Sequence, residues 1–272
     1  MKIMKWLLAS TLTLALLFTA CKKDDETTIQ SEQIMAAEDQ TSSNDLYEDV
    51  DEQVDQAIET RGGGGTVCPT VTIDPADGSY PRTMTVDFGT DGCTGLDGRV
   101  RKGQIVVNLT DTLTNTGAIR TATFVDFYVD DAHVEGTRTL TNLGSNTDGN
   151  LTFSRTVVGG KITFPDGEVT TWEANHTMTL VEGGNTAILL DNVWEITGGA
   201  TGVTRNGKAF TTEIVTPLVK RRACRWTVSG TKTLTIDGKV LTIDYGNGDC
   251  DRKATVIGPN GGTREILIRW WM

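Results

Sequence analysis

The chain has 272 residues and a formal net charge of −11, with 36 acidic side chains against 25 lysines and arginines. The acidic excess is local, because residues 22–65 hold 13 acidic and three basic side chains while residues 66–272 are nearly neutral. A nearly neutral body argues against the basic surface that binding to nucleic acid or to an anionic membrane requires.

Residues 1–20 are predicted to be a secretory signal peptide. Lys2 and Lys5 precede an uncharged run over 6–20, whose apolar part ends near Phe18. This order of charge and apolar run is typical of secretory signals. No other segment approaches the ~20 apolar residues that a membrane-spanning helix needs, so we expect a secreted protein.

The segment that follows the apolar run carries two short motifs. Leu-Phe-Thr-Ala-Cys at 17–21 resembles the lipobox of bacterial lipoproteins, with Phe18 where an aliphatic residue is usual. The resemblance implies that the mature chain begins at Cys21 and that lipid is attached to this cysteine. Lys-Lys-Asp-Asp-Glu at 22–26 resembles the Lys-Asp-Asp-Glu surface-export signal of Bacteroidota lipoproteins, with Lys22 off the usual pattern. That resemblance implies transfer to the outer face of the outer membrane.

Residues 21–65 are predicted to form an acidic tether. The stretch 24–40 is polar and reads as a spacer. Apolar residues recur at four-residue spacing over 44–59, which predicts a short amphipathic helix with Asn44 as its N-cap. We expect its narrow apolar stripe to lie on a sheet. Four glycines at 62–65 predict a flexible joint, and hence a domain boundary.

Residues 66–272 are predicted to be one all-β domain, because apolar and polar residues alternate and turn pairs punctuate the segment. Asp166-Gly167, Asn206-Gly207 and Asp237-Gly238 predict two-residue hairpins with positive φ at both positions. We expect an antiparallel, hairpin-linked sheet packed as a sandwich or roll, with an up-and-down barrel as the alternative. The predicted strands are 70–73, 83–88, 104–109, 122–129, 136–143, 151–158, 171–180, 187–197, 209–215, 225–235, 239–245, 253–257 and 264–270.

An internal repeat predicts two disulfides. Met-Thr-Val-Asp-Phe-Gly-Thr-Asp-Gly-Cys at 84–93 aligns without gaps to Leu-Thr-Ile-Asp-Tyr-Gly-Asn-Gly-Asp-Cys at 241–250. Each copy has a further cysteine upstream at nearly equal distance. Four cysteines allow three pairings, and the repeat favours Cys68 with Cys93 and Cys224 with Cys250. An extracytoplasmic location permits both bonds, whereas the spacing does not fit a zinc ribbon.

The second copy of the repeat also contains the only candidate cofactor site, for calcium. Asp244, Asp249 and Asp251 lie among glycines and offer the oxygen ligands that a hard cation prefers. The alternative, which we favour, is that these carboxylates cap tight turns. We therefore expect no cofactor, with calcium as the exception to test.

Two further surface features are candidates for binding and modification. Trp270 and Trp271 are adjacent in a predicted strand and must point to opposite faces, so one of them is a candidate exposed platform for a glycan. The alternative is that one lies in the core and the other covers an edge. Asp-Thr-Leu at 111–113 resembles the O-glycosylation motif of Bacteroidota secreted proteins, which implies a glycan on Thr112.

No motif for an enzyme is found. The only histidines are His133, in a predicted turn, and His176, on the apolar face of a predicted strand, and no nucleophile, phosphate-loop or His-Glu metal motif is present. We predict a non-enzymatic lipoprotein that is anchored in the outer membrane and binds or scaffolds at the cell exterior, with a glycan or a surface protein as partner. The alternatives are a structural envelope lipoprotein without a small ligand and a hydrolase that uses paired carboxylates.

Overall fold

The computed structural model describes residues 29–59, 68–186, 188–269 and 271. The signal peptide, Cys21, the export motif, the glycine joint and Trp270 lie outside the described residues. The elements are one helix, α1 (Ser31–Glu59), a 3₁₀ turn (Leu189–Asp191) and fourteen strands. The strands are β1 Thr70–Asp74, β2 Arg82–Asp87, β3 Cys93–Thr94, β4 Val100–Leu109, β5 Ile119–Val129, β6 Ala132–Ser145, β7 Leu151–Thr163, β8 Val169–Glu182, β9 Val193–Val203, β10 Ala209–Arg221, β11 Thr227–Ile236, β12 Lys239–Asn247, β13 Lys253–Ile257 and β14 Thr263–Leu267.

All fourteen strands belong to one antiparallel sheet in which neighbours in the sheet are neighbours in the chain, except that short β3 pairs with β4 off the main path. The all-β, hairpin-linked prediction is confirmed. Each predicted strand overlaps an observed one, because the alternation that predicts it also decides which side chains face inward. The predicted strand 187–197 is misplaced, since a 3₁₀ turn takes up its first half and β9 runs on to Val203.

The three predicted hairpin turns are of two kinds. Asp237 and Gly238 have φ of 48° and 70°, and they join paired residues Ile236 and Lys239, as predicted for a two-residue turn. At Gly167 and Gly207 only the glycine has positive φ. There the loops have five residues, closed by hydrogen bonds such as that from Gly167 N to Phe164 O. In these two loops, an ordinary turn is therefore followed by a glycine in the left-handed conformation. The prediction of a two-residue turn is wrong for both.

The helix begins thirteen residues earlier than the predicted start at 44. Asn44 lies in the middle of α1, where its side-chain amide donates to Glu48 Oε1 at 3.0 Å. The N-cap prediction is therefore wrong, and so is the spacer predicted for the part of 24–40 that α1 contains. Hydrophobic periodicity does not identify this half of the helix, because most of its buried positions are polar, among them Gln40, Thr41 and Ser42.

The helix has no solvent face in its central part. Every residue from 39 to 50 is buried, although a helix that lies on one sheet exposes its outer side. Strands far apart in the sheet order, from β2 and β4 to β8, β11 and β14, contact α1. The sheet therefore curls around the helix as a roll, and the prediction of one apolar stripe on a sheet surface is wrong.

The helix and the sheet share one hydrophobic core. Leu46, Val50 and Val54 of α1 belong to the same buried cluster as the inward side chains of the strands. The Tyr47 ring stacks on Trp172 of β8 with 5.2 Å between ring centroids. The part of the predicted tether that forms α1 is thus packed in the folded body, with 18 of the 29 helix residues buried. Within the described residues, no helix is long and apolar enough to cross a bilayer.

Charge is segregated between the helix and the interior face of the sheet. The helix holds ten acidic side chains and no basic one, whereas arginines of β4, β5, β6 and β7 point inward. Asp49 is fully buried and accepts hydrogen bonds from Arg101 Nε at 2.8 Å and Nη2 at 2.6 Å, and another from Arg99. Burial alone would raise the pKa of Asp49, but these arginines hold it well below its usual range. The helix enters the roll as a charged partner of the sheet.

We expect Asp49→Asn to lower the free energy of unfolding by about 3–5 kcal/mol, because it leaves Arg99 and Arg101 buried without their shared carboxylate. Chemical denaturation measures the change. As a matched control, Glu265→Gln removes an exposed pair with Lys253, whose Nζ lies 3.1 Å from Glu265 Oε2, and should cost less than about 1 kcal/mol. Equal costs for the two variants would contradict the role of the interior pairs.

Candidate functional site

A cleft of about 660 Å³ opens beside the carboxyl-terminal half of α1. One wall is the helix itself, over its last three turns. The opposite side is formed by β7 to β10 and by the 3₁₀ turn that precedes β9. Small-molecule sites commonly have volumes of about 300–1,000 Å³ and combine apolar walls with a few placed polar groups. The cleft is therefore the leading candidate site.

The outer wall of the cleft is apolar. Ile188, Leu189 and Leu190 are consecutive and are 62%, 48% and 65% exposed. We call these three residues the aliphatic rim. Behind the rim, Met178 of β8 and the half-buried Trp194 of β9 also line the cleft. Three adjacent aliphatic side chains are rarely left exposed to solvent. At the mouth of a cleft they form a suitable contact surface for an apolar ligand.

The helix wall is charged, and its charges are already paired. Lys220 Nζ lies 3.2 Å from Glu48 Oε2 and 3.3 Å from Glu52 Oε1, so one buried ammonium joins two carboxylates. Arg222 reaches Asp55 Oδ2 at 3.2 Å and Glu59 Oε1 at 2.7 Å. Such pairs fix the wall in one arrangement.

The carboxyls of this wall differ in pKa. Burial raises the pKa of Glu52 above its usual value, with a further rise from the charge of Asp49, although Lys220 opposes both effects. Burial also acts on Asp51, but the charges of Arg138 and Arg120 dominate and lower its pKa to about 2. The pKa values of two neighbouring carboxyls of the cleft are therefore shifted in opposite directions.

The floor of the cleft is a buried arginine. Arg155 of β7 is 2% exposed, and its contacts to carboxylates are long, at 3.5 Å from Glu48 and 4.0 Å from Asp51. Among the described residues, neither Nε nor Nη2 of Arg155 has a hydrogen-bond acceptor. Burial and the nearby charge of Arg138 lower the pKa of Arg155 to about 10.

A second buried cation, Lys232 of β11, faces the same interior. It is 2% exposed, and its Nζ lies 5.0 Å from the centre of the Tyr245 ring. Burial lowers the pKa of Lys232 to about 7, with only the charge of Glu48 opposing it. His176 of β8 is also buried, as predicted from its apolar face, and burial together with Arg155 lowers its pKa well below the usual value.

The predicted disulfides are confirmed. Cys68 is bonded to Cys93 and Cys224 to Cys250, each with 5.8 Å between Cα atoms. The repeat is structural, since β2 pairs with β1 and β4 while β12 pairs with β11 and β13. Neither disulfide lines the cleft, although Cys224 lies between two residues that do, Arg222 and Arg225. Both bonds brace hairpins towards the two ends of the sheet.

The calcium candidates come together but do not form a ligand set. Asp244, Asp249 and Asp251 line one hollow of about 170 Å³. Asp244 Oδ1 accepts the Gly246 N–H at 2.8 Å, and Asp251 Oδ1 accepts the Lys253 N–H at 3.0 Å. No group of three or more His, Cys, Asp or Glu side chains is placed to hold a metal within the described part of the chain. The turn-capping interpretation accounts for the contacts, and calcium binding stays an untested prediction.

The remaining predicted sites lie away from the cleft. Trp271 packs on Phe164 with 5.1 Å between ring centroids, in line with the core alternative, and its neighbour Trp270 is outside the described residues. Thr112 is exposed in the turn between β4 and β5, where its N–H donates to Asp111 Oδ1 at 2.7 Å. Its hydroxyl group is thus accessible for the predicted glycosylation.

Sequence reasoning missed the residues that form the cleft. Residues 187–197 were assigned to a strand, which concealed the aliphatic rim, and the acidic helix wall was assigned to a tether. One available signal was the position of Arg155, which lies two residues from both Phe153 and Val157 and therefore shares the inward face of β7 with them. A cationic residue that shares a strand face with core residues is expected to be buried, and a buried charge requires a partner.

Comparisons with known proteins give no relative from which to transfer a function. No protein-family model, no curated protein and no solved structure matches the chain. The functional argument therefore depends on the cleft.

We expect the free energy of unfolding to rise between pH 7 and 9.5 by up to about 1 kcal/mol per pH unit. In this window the unfolded chain keeps the Lys232 proton, since an ordinary lysine has a pKa near 10.5, whereas the folded chain has released it. Stability rises with pH wherever the unfolded state binds more protons. Denaturation in a zwitterionic buffer free of phosphate and sulfate measures the slope, and Lys232→Met should flatten it. A flat wild-type profile would contradict the burial of an uncharged lysine.

Proposed function

We propose that the protein is a binding module of the cell exterior and that the cleft beside α1 takes a small amphipathic ligand. The observation that carries this proposal is the aliphatic rim, which faces a fixed, charged helix wall across a space of ligand size. A ligand with an apolar body and a polar end matches both walls. The paired charges support binding over catalysis, because ion pairs hold their side chains in place.

Carboxylate-based hydrolysis is a second candidate, favoured by one observation. Glu52 has a raised pKa and Asp51 a lowered one, and both line the cleft. Carboxyls with pKa values driven apart are the arrangement that separates an acid from a base in catalysis. Release of 4-nitrophenol from a panel of 4-nitrophenyl glycosides and esters, lost in Glu52→Gln, would favour the hydrolase over the binding module.

We expect the fluorescent amphiphile 1-anilinonaphthalene-8-sulfonate to bind the folded protein with an increase in emission. Leu190→Asp should weaken this binding about tenfold, because it removes apolar contact worth about 1.5 kcal/mol from the rim. Fluorescence titration measures both affinities.

The matched control is Val215→Asp in β10. Val215 is 64% exposed, as Leu190 is 65% exposed, but it lies outside the cleft lining. It should leave the affinity unchanged. Equal loss in the two variants, or no binding by the wild type, would refute the cleft as the binding site.

We further propose that the module is anchored in the outer membrane through lipid on Cys21 and is displayed on the cell surface. In a Bacteroidota host the wild type should partition into Triton X-114, whereas Cys21→Ser should stay in the aqueous phase, because stable anchoring needs acyl chains. Replacement of Asp24, Asp25 and Glu26 by alanine should keep the detergent partition but protect the protein from protease added to intact cells. Protection of the wild type itself would contradict surface display.

A further inference from the structure

Several buried polar atoms in the interior of the roll have no hydrogen-bond partner among the described residues. They include Nε and Nη2 of Arg155, Nδ1 of His176 and the hydroxyl of Tyr245. A buried polar group without a partner is costly, so each such group requires an explanation. Three of these atoms, two on Arg155 and one on His176, belong to residues that are partners across neighbouring strands.

These groups lie on the inward faces of strands that surround the helix. Arg155 of β7 stands opposite His176 of β8 in the sheet register. Lys232 of β11 lies beside the ring of Tyr245 of β12. The charges of Arg155 and Lys232 both lower the pKa of His176, and Glu48 acts on Arg155, Lys232 and Tyr245 alike. We call Arg155, His176, Lys232 and Tyr245 the interior donor cluster.

The carboxylates that face the cluster from the helix are already engaged elsewhere. Glu48 accepts hydrogen bonds from Lys220 and Asn44, and Asp51 accepts short bonds from Arg138 and Arg120. Asp45, which also acts on Tyr245, is bound by Arg99 and Arg269.

Two buried cations thus lack a close carboxylate. The carboxylate contacts of Arg155 are the long ones to Glu48 and Asp51, and Lys232 forms no ion pair with any described residue. The cluster therefore presents the positive charge of Arg155 together with N–H and O–H groups that have no acceptor, which together suit an anion that carries oxygen acceptors.

The cluster is connected to the cleft. Arg155 belongs to both, and Glu48, which also lines the cleft, faces the cluster from the helix. From Arg155 the apolar wall extends outward through Met178 and Trp194 to the aliphatic rim. A molecule seated in the cleft would thus meet a cationic floor and an apolar wall.

We propose that Arg155, supported by His176, Lys232 and Tyr245, binds the carboxylate of an amphipathic carboxylic acid whose hydrocarbon chain lies along Met178, Trp194 and the aliphatic rim. This inference rests on the proposed function, since the chain of the ligand occupies the same cleft. A guanidinium presents parallel N–H donors that match the two oxygens of a carboxylate. The carboxylate supplies the acceptors that Nε and Nη2 of Arg155 lack.

Isothermal titration calorimetry with decanoate and with decanol tests the headgroup separately from the chain. The wild type should bind decanoate at least tenfold more tightly than decanol. Arg155→Met should remove this preference and leave decanol binding unchanged, whereas Leu190→Asp should weaken both ligands by a similar factor.

Arg155→Lys is the second variant, in case Arg155→Met does not fold as judged by near-ultraviolet circular dichroism. It keeps the positive charge but loses the parallel N–H donors, so it should weaken decanoate at pH 7 and spare decanol. Equal affinity of the wild type for decanoate and decanol would overturn the headgroup assignment while leaving the proposed amphipathic site intact. Stabilisation by inorganic phosphate that Arg155→Met removes, with no binding of decanoate or decanol, would overturn the assigned ligand and the proposed function together.

Discussion

The structure depends on the burial of an acidic helix against a basic sheet face. Taking a carboxylate or a guanidinium out of water is costly, and the cost is offset only when the partner is close and well oriented. Asp49 meets this condition through Arg99 and Arg101, and Asp51 through Arg120 and Arg138. The helix without the roll would leave these acids solvated but unstructured, and the roll without the helix would leave a row of cations in an apolar interior.

This dependence explains which parts of the fold the sequence predicts. The first eight residues of β8 alternate strictly between exposed and buried positions, so the alternation identifies both the strand and its inward face. The disulfides were predictable because two copies of one unit place their cysteines alike. The first half of α1 was not predictable in the same way, since Gln40, Thr41 and Ser42 are buried by tertiary contacts and not by apolar character. A sliding average of hydrophobicity therefore classifies such a segment as solvent-exposed.

The cleft was harder to predict for a related reason. Its two walls come from segments 130 or more residues apart in the chain, the end of α1 and the turn before β9, and nothing local in either segment refers to the other. Net charge was also a poor guide to where the cationic side chains lie. Residues 66–272 are nearly neutral as a sum, yet their cations are concentrated inside, where Arg155 and Lys232 are almost fully buried. Net charge determines the electrostatic field outside a protein, but it contains no information on which charged side chains are buried.

The early start of α1 also changes the geometry of display at the membrane. With lipid on Cys21, only ten residue steps separate the anchor from Ser31, and even a fully extended chain covers about 35 Å in that number. Under the proposed anchoring, the roll would therefore be held within this distance of the bilayer instead of at the end of a long acidic spacer. A helix of 29 residues is about 43 Å long, and the cleft lies along its far half. Under the proposed anchoring, the amino-terminal end of the helix is the one that this short segment joins to the lipid, and the cleft lies along the opposite half of the helix.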